Sequence, residues 1–353
     1  MIQSATSQQA PTLSVIVPAY NASEQLRQCL ESLSASTYAH FDVLVVDDGS
    51  TTPVKPIVNG YGYRSMRTDD RGGPARARNI GARNVHGSHL VFVDADVCVH
   101  PDTLAVIAEI FQSHNGLAAV VGTYDEHPRH PGFLSQYKNL FHRYVHRRSA
   151  GTIATFWAGC GAMRRDVFLE FGGFDADQYR RPAIEDIELG TRLARCGHQI
   201  ILDERVQATH LKRWSFWNLL RTDVFARGIP WVQLMRRVGG MENSLNVRWS
   251  QRISVVLSYL TLVALAWSIR QPLHLISTAL IVLIIIIINS KLYRFFWNCR
   301  GLWFTLRGIP MHLLYLLYCG FCVVVGTIRS YTDADPPSRP GPTMSTDTIA
   351  PGS

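Results

Sequence analysis

The chain has 353 residues, a formal net charge of +8 and 47% apolar residues, so it is long enough to bury one large core or two small ones. Its seven cysteines have no framework spacing, which excludes a disulfide scaffold and predicts free thiols. Basic residues after position 200 lie among aromatic and apolar segments, a pattern that favours a membrane surface over nucleic acid. The chain begins with a polar stretch, residues 1–11, which we expect to be disordered and not a signal peptide.

Three short apolar runs in the first hundred residues predict strands, and each of them ends in polar residues. The runs are Leu13–Val17, Phe41–Val46 and Leu90–Val93. Helical patterns follow them, at about 22–33, 74–85 and 102–113. This alternation predicts an α/β fold with a parallel sheet covered by helices on both faces. The polar ends of the strands, at Asn21, Asp48 and Asp96, should therefore meet at one rim, where open α/β sheets bind ligands.

Asp94 and Asp96 stand one residue apart directly after the third strand. Carboxylate oxygens suit Mg²⁺ or Mn²⁺, and a substrate diphosphate can complete the coordination of such a metal. An acid that caps the following helix is the alternative interpretation of the pair. Glu185 and Asp186 also have two interpretations, a chemical role or helix capping. They open a second predicted helix, where acids are favoured with or without a chemical role.

The order of the motifs resembles the family 2 glycosyltransferases, which have the GT-A nucleotide-sugar-binding fold. The motifs are Val-Pro-Ala-Tyr-Asn, Val-Asp-Asp-Gly-Ser, Arg-Gly-Gly-Pro-Ala-x-Ala-Arg-Asn and Asp-Ala-Asp, within a domain predicted at 12–213. The resemblance implies a pocket for the nucleobase and ribose, lined by Pro18, Tyr20 and Asp48. It implies further contacts to the nucleotide from Arg71 and Arg78, to the ribose from Asp94, and to the metal from Asp96, with help from Asp94.

Later motifs complete the resemblance on the acceptor side. The segment Phe156–Met163 is similar to the family's glycine-bearing acceptor loop and contributes Trp157, Gly159 and Gly161. In the Glu-Asp pair, the resemblance implies that Asp186 is the catalytic base, with Glu185 beside it. It also implies that His210 is a further metal ligand, although a structural histidine is the alternative. His210, Arg213 and Trp214 match the spacing of the Gln-x-x-Arg-Trp motif of processive synthases, but with His in place of Gln.

The remainder of the chain predicts membrane attachment. Residues 214–250 alternate Trp and Arg with apolar residues and predict amphipathic, interfacial helices. Residues 251–330 predict a membrane domain with about three transmembrane helices, at Ile253–Ile269, Pro272–Asn289 and Ile309–Ile328. Pro272 leaves only a short turn, so the first two should form a hairpin. The tail 331–353 is rich in Pro, Ser, Thr and Gly and should be disordered.

The distribution of charge predicts the orientation. The segment between Lys291 and Arg307 carries four basic residues, whereas the hairpin turn carries only Arg270. The positive-inside rule then places the catalytic domain and this segment in the cytoplasm, and the C-terminus outside. We therefore expect a multi-pass protein of the cell inner (plasma) membrane.

Taken together, these features predict an inverting, metal-dependent transfer of a sugar from a nucleoside-diphosphate sugar to a membrane-associated lipid or glycan at the cytoplasmic leaflet, as in cell-envelope glycan synthesis. One alternative is a subunit of a processive polysaccharide synthase, which an oligomer could complete. Another is a non-catalytic membrane scaffold that binds the nucleotide sugar. A nucleic-acid partner is not expected, because no interleaved aromatic and basic platform stands outside the membrane-proximal region.

Overall fold

A computed structural model describes residues 11–240 and 245–332 of the chain. Almost all of the two predicted disordered ends, 1–11 and 331–353, lies outside the described residues. The strands are β1 (Leu13–Ala19), β2 (Phe41–Asp47), β3 (Arg64–Arg67), β4 (His89–Val93), β5 (Val97–Val99), β6 (Ala119–Tyr124), β7 (Gly151–Ile153), β8 (Cys160–Arg164) and β9 (Ile200–His210). The helices of the same half are α1 (Ser23–Ser34), α2 (Lys55–Asn59), α3 (Pro74–Arg83), α4 (Thr103–Ser113), α5 (Phe133–Arg147), α6 (Arg165–Glu170) and α7 (Glu185–Arg195).

The strands form one mixed sheet in the order β3-β2-β1-β4-β8-β6-β9-β5, with β7 paired to β9. The expectation of a parallel sheet is correct for β3, β2, β1 and β4 and for the pair of β6 and β9. It is wrong for β8, which runs antiparallel to both β4 and β6, and for β5 and β7, which run antiparallel to β9. The chain reaches β8 through α5 and a loop instead of a βαβ crossover, and antiparallel strands need no such crossover.

Alternate residues of the strands supply two apolar cores, one on each face of the sheet. Val15 and Val91 belong to the core that packs on α1 and α4, whereas Ile16 and Phe92 belong to the core that packs on α3, α6 and α7. This alternation is the two-residue period of a strand. Because both faces are covered, the rim at the carboxyl ends of β1, β2 and β4 remains as the open edge.

The second half of the described chain is helical. It comprises α8 (Phe216–Arg221), a π-helix (Thr222–Gly228), α9 (Ile229–Arg237), a 3₁₀ turn (Leu245–Val247), α10 (Trp249–Ser268), α11 (His274–Ile288) and α12 (Ser290–Thr332). The helices α10 and α11 form the predicted hairpin, whose ends are joined by hydrogen bonds from Asn289 Nδ2 to Ser254 Oγ and from Gln251 Nε2 to Asn289 Oδ1. The helix α12 is interrupted at Gly301, which has a φ of 79°.

Two of these helices, α10 and α12, are long and apolar enough to cross a membrane by length and composition. However, α12 does not extend away from the sheet half. Tyr318 Oη donates a hydrogen bond to Asp223 in the π-helix, and the guanidinium of Arg236 in α9 lies 4.6 Å from the ring centre of Tyr331. Because α9 itself packs on the sheet half through Leu234, the end of α12 lies on the same side as that half. The placement of the C-terminus outside the cell stays a prediction, because the contacts of α12 do not define its position relative to a membrane.

Candidate functional site

A cavity of about 1080 Å³ lies at the carboxyl rim of the sheet and continues to α10 and α12. Eleven of the thirteen residues predicted for the site line it, and they come from several different strands, helices and loops. They are Pro18, Tyr20, Asp48, Arg71, Arg78, Asp94, Asp96, Trp157, Gly159, Glu185 and Asp186. The convergence of the strand ends, which the sequence predicted, is therefore present in the structure.

Asp48 holds the glycine-rich loop that follows β3. Its two carboxylate oxygens accept hydrogen bonds from the backbone amides of Gly72, at 2.9 Å, and Gly73, at 2.8 Å. Gly73 has a φ of 87°, and a Cβ there would lie 2.4 Å from the carbonyl oxygen of Arg180, so no other residue fits without displacing the chain. The loop in turn places the Arg71 guanidinium 4.0 Å from the ring centre of Tyr20, so a flat, cationic surface borders the cavity.

Arg78 is the buried centre of the site. It extends from α3 and donates hydrogen bonds to Asp94, at 2.6 Å, and to Glu185, at 3.0 Å. Only 4% of Arg78 is exposed, and breaking a buried ion pair of this kind costs about 3–5 kcal/mol because the remaining charges lose their compensation. The sequence placed Arg78 near the phosphates of a nucleotide, whereas in the structure its guanidinium joins the end of β4 to the start of α7.

Asp96 and His210 approach each other from two neighbouring strand ends. Their Oδ2 and Nε2 atoms are 3.7 Å apart, and the His210 ring stacks on Tyr124 with 4.3 Å between ring centres. Burial opposes the ionisation of Asp96, but the neighbouring His210 and the charge of Lys212 lower its pKa. An ionised carboxylate beside an imidazole is a suitable pair of ligands for a divalent metal.

These residues fit a metal that takes its other ligands from a substrate. Among residues 11–240 and 245–332, no group of three or more His, Cys, Asp or Glu side chains is arranged around a metal position. Magnesium commonly binds through one or two carboxylates and the phosphates of its substrate, so two protein ligands are sufficient. Asp94, which the sequence proposed as an additional ligand, accepts a hydrogen bond from Arg78, and burial raises its pKa.

Asp186 lies half-buried at the start of α7, directly beside the acceptor loop. Its Oδ2 accepts a hydrogen bond from the backbone amide of Ala158, at 3.0 Å, and its Oδ1 accepts one from Ile187, at 2.8 Å. Burial, followed by the negative charge of Glu185, raises the pKa of Asp186 to about 6. A carboxylate with a pKa in this range can exchange a proton near neutral pH, as a general base must.

The glycines of the predicted acceptor loop have different environments. Gly159 lines the cavity, and a Cβ there would lie 2.5 Å from the Trp157 ring. Gly161 is buried within β8, where a Cβ would lie 2.5 Å from the carbonyl oxygen of Trp157, and it does not line the cavity. Gly161 therefore packs behind the loop, and the surface that faces the cavity comes from Trp157 and Gly159.

Several polar residues of the cavity were not found from the sequence. Lys138 in α5 donates two hydrogen bonds of 2.6 Å to Asp223, which also accepts one of 2.7 Å from Tyr318 Oη. Arg227, 3.9 Å from Asp223, lies on the cavity wall, as does His142. The segment that contains Lys138 and His142 has no motif, and the only sequence signal near the other residues is the pattern of Trp and Arg after position 213.

Residues 14–172 match the family model described as glycosyl transferase family 2. An uncharacterised glycosyltransferase of Haemophilus influenzae is 34% identical over 104 residues, which are 29% of this chain and 35% of the relative. The poly(ribitol-phosphate) beta-N-acetylglucosaminyltransferase TarS of Staphylococcus aureus is 33% identical over 109 residues, which are 29% of this chain and 19% of the relative. The chain thus matches about a third or less of each of these relatives.

Among solved structures, the mannosyltransferase PcManGT of Pyrobaculum calidifontis, in complex with GDP-Man and Mn²⁺, superposes with a TM-score of 0.55 at 18% identity. The superposition covers 93% of this chain and 89% of that chain, so the likeness extends beyond the sheet half into the C-terminal helices. It shows a shared fold.

Proposed function

We propose that the chain, whose residues 14–172 match the glycosyl transferase family 2 model, is a glycosyltransferase with a GT-A fold. It transfers one sugar from a nucleoside-diphosphate sugar to a membrane-associated acceptor, with inversion at the anomeric carbon. One observation carries the proposal. The predicted donor residues and Asp186 line a single cavity that continues to the apolar helices α10 and α12. A donor and an acceptor that enter from opposite ends can therefore meet at Asp186.

The donor end of the cavity suits a nucleotide. Tyr20 and Arg71 offer a face on which a base can stack, and the loop held by Asp48 borders the same space. Arg78 fixes Asp94 at the end of β4, where a carboxylate can accept hydrogen bonds from ribose hydroxyl groups. The bound GDP-Man of the Pyrobaculum mannosyltransferase supports a nucleotide sugar as the donor class.

The transfer itself is a single displacement. An acceptor oxygen attacks the anomeric carbon, the bond from this carbon to the diphosphate oxygen breaks, and the nucleoside diphosphate leaves with the electron pair. The proton of the acceptor hydroxyl passes to the carboxylate of Asp186, whose pKa of about 6 suits this task. Attack on the face opposite to the leaving group inverts the configuration. Glu185, which accepts hydrogen bonds from Arg78 and from the amide of Ala183, acts as a positioning residue for α7.

Asp96 and His210 would hold a divalent cation, Mg²⁺ or Mn²⁺, which would neutralise charge that develops on the leaving diphosphate. The Mn²⁺ of the Pyrobaculum mannosyltransferase supports this cofactor. The charge of Lys212 favours the ionised form of Asp96, which is the form that binds a cation. Because Asp96 and His210 hold the cation, Asp94 is free of that role and instead pairs with Arg78 and contacts the donor.

The exposed apolar surface of the helical half supports attachment of the protein to a membrane. Large apolar side chains of α10 and α11 are exposed, among them Val256 at 60% and Ile287 at 62%. The segment after α11 contacts the sheet half, since Arg300 Nε donates a hydrogen bond of 2.9 Å to Gln136. Together with the charges of this segment, the contact supports a catalytic domain on the cytoplasmic face of the inner membrane.

The experiment is a panel of nucleoside-diphosphate sugars, incubated with membranes that contain the protein and with Mg²⁺ or Mn²⁺. We expect one donor to release nucleoside diphosphate and to label one discrete product after lipid extraction. A ladder of products on a gel would instead indicate a processive synthase. No release of nucleoside diphosphate from any donor would indicate a binding scaffold and would overturn the proposed function.

A further inference from the structure

The cavity extends well beyond the space that a donor sugar and Asp186 need. On α10 its wall consists of Val256, Tyr259, Leu260 and Val263, whose spacing of three and four residues places them on one face of the helix. From Arg252 to Val263 this face is about 16 Å long, at a rise of roughly 1.5 Å per residue. A sugar acceptor alone has no use for an apolar wall of this length.

The helix α12 forms the opposite wall. Tyr259 Oη donates a hydrogen bond of 2.8 Å to the carbonyl oxygen of Leu317, and a Cβ on Gly320 would lie 2.3 Å from the Tyr259 ring, so the two helices touch at this level. Beyond the contact, the cavity is lined by Val323 and Val324, which are 45% and 58% exposed. Exposed valines on two helices that both border the cavity form an apolar groove, defined here by Val256, Leu260, Val263, Val323 and Val324.

A cationic cluster adjoins this groove. The cluster consists of Lys138, Lys212, Arg227 and Arg252, which line the cavity, and the carboxylate of Asp223 lies beside two of them. Lys138 and Arg227 both lie within ion-pair distance of Asp223, so two cations share one carboxylate. Gly228 packs on Cys322, so Arg227, its neighbour in the chain, lies at the level of α12 where the apolar groove begins. The cluster and the groove together thus favour a ligand in which an anionic group is joined directly to an apolar chain.

Asp186 lies on the same cavity wall, and a general base at this position requires an acceptor that has a proton to lose. Because the pKa of Asp186 is raised to about 6, a carboxylate is available at neutral pH to accept a proton, and an acceptor hydroxyl supplies such a proton. The Nδ1 atom of His142, which also borders the cavity, has no hydrogen-bond partner among the described residues and can contact the same polar head.

We propose that the acceptor is an anionic phospholipid with a hydroxylated head group. Its phosphodiester binds at Arg227, its head-group hydroxyl attacks the donor sugar beside Asp186, and its acyl chains occupy the apolar groove between α10 and α12. The inference rests on the proposed function and names the acceptor class of that same site. The hydroxyl oxygen forms the new glycosidic bond, and the phosphodiester is not consumed.

The first test compares acceptors with the purified full-length protein and the active donor. The probes are vesicles of phosphatidylglycerol in phosphatidylcholine, the same vesicles with diacylglycerol instead, soluble glycerol phosphate, and a polyprenyl phosphate. We expect glycosylated phosphatidylglycerol, with the other probes at least about tenfold slower. Equal transfer to diacylglycerol or to glycerol phosphate would overturn the proposal, as would transfer to polyprenyl phosphate alone. Release of nucleoside diphosphate in any of these cases would leave the proposed function intact.

The second test uses two matched pairs of variants. Arg227→Gln should raise the KM for phosphatidylglycerol about tenfold and reduce its preference over diacylglycerol, whereas Arg221→Gln, exposed one helix earlier and outside the cavity, should change neither. Leu260→Trp should fill the apolar groove and slow transfer to long-chain phosphatidylglycerol more than to a short-chain form. Leu262→Trp, at a position of similar exposure outside the cavity, is its control. Equal effects within either pair would overturn the assignment.

Discussion

Glu185 and Asp186 are neighbours in the chain, but their surroundings give them different roles. The carboxylate of Glu185 is held by Arg78 and by the amide of Ala183, and only 4% of the residue is exposed. Asp186 faces the cavity, and its hydrogen-bond partners among the described residues are the backbone amides of Ala158 and Ile187. Two adjacent acids whose environments differ in this way can divide positioning and proton transfer between them.

A pH profile tests the role of Asp186. Its pKa is raised by burial and by Glu185 to about 6, against the opposing charge of Arg78, so the carboxyl is neutral below this pH and cannot accept a proton. We expect kcat to rise as the pH increases through about 6 and then to level off. Asp186→Asn should lower kcat by roughly 10² to 10⁴ and leave the donor affinity nearly unchanged, as measured by calorimetry with the nucleotide sugar.

The control for Asp186→Asn is Asp102→Asn, because Asp102 precedes α4 without a side-chain capping hydrogen bond and does not line the cavity. It should retain the full rate. If the donor affinity of Asp186→Asn falls as steeply as its rate, Asp186 binds the donor and is not the base.

Metal binding distinguishes Asp96 from Asp94. Asp96→Asn and His210→Ala should each weaken Mn²⁺ binding in the presence of nucleoside diphosphate by at least about tenfold, because each removes a ligand. Asp94→Asn should mainly raise the KM for the donor, since Asp94 holds Arg78. The signal of free Mn²⁺ in electron paramagnetic resonance measures the affinity directly. An equal loss of affinity in all three variants would make Asp94 a ligand as well.

The site residues differ in how far the sequence could identify them. The positions of Asp48, Asp96 and Asp186 at element ends follow from local patterns, because a strand or helix end fixes where its next residues lie. The partner of each group does not follow from such patterns. Arg78 forms its hydrogen bond with Glu185, which lies 107 positions later in the chain. Asp48 accepts hydrogen bonds from loop amides 24 and 25 positions later. Only the tertiary structure shows these contacts.

At the scale of elements, the close approach of α7 to the acceptor loop positions the base. A Cβ on Gly190 would lie 2.0 Å from the backbone nitrogen of Phe156, so the helix backbone rests directly on the loop. Gly190→Ala should displace α7, and with it Asp186. We expect a loss of stability of about 1–3 kcal/mol, as for other overpacked cores, and a lower kcat. Thermal unfolding in detergent and the release of nucleoside diphosphate measure the two effects.

Gly240→Ala is the control, because Gly240 is exposed and a Cβ there would contact nothing within 4 Å. It should change stability by less than about 0.5 kcal/mol. If Gly190→Ala is equally harmless, the loop can move away from α7, and the base does not depend on this contact.

Sequence periodicity predicted the elements that pack on the sheet and missed the element that joins the two halves. The strands β1, β2 and β4, with α1, α3 and α4, have the patterns of a two-sided core. In contrast, α5 buries Tyr137, Leu140 and Phe141 against helices that come more than 75 residues later, among them α12. A pattern read along the chain gives no information on such a distant partner, and the antiparallel course of β8 was missed for the same reason.

At the scale of the whole molecule, the contacts of α12 allow a second membrane topology beside the one that hydropathy predicts. Hydropathy predicted that Ile309–Ile328 crosses the membrane, because the run is long and apolar. In the structure, Gly326 in this run packs on Val232 of α9, and the helix ends beside Arg236. An apolar helix that packs on the catalytic half has the same composition as one that spans the bilayer. We therefore predict a second topology, in which the hairpin of α10 and α11 enters the membrane and the C-terminal end of α12 stays at the cytoplasmic face.

Cysteine labelling in intact cells decides between the two topologies. Gln271→Cys lies at the exposed tip of the hairpin, and Tyr331→Cys lies at the end of α12, where Tyr331 is 77% exposed. The seven native cysteines are buried or half-buried, so the background of labelling is low. We expect an impermeant maleimide to label Gln271→Cys from outside, and Tyr331→Cys only after the membrane is permeabilised. Lys55→Cys, exposed on the catalytic domain, is the cytoplasmic control. Labelling of Tyr331→Cys in intact cells would restore the three-span topology, because the contact of α12 with α9 would then have to open in the membrane.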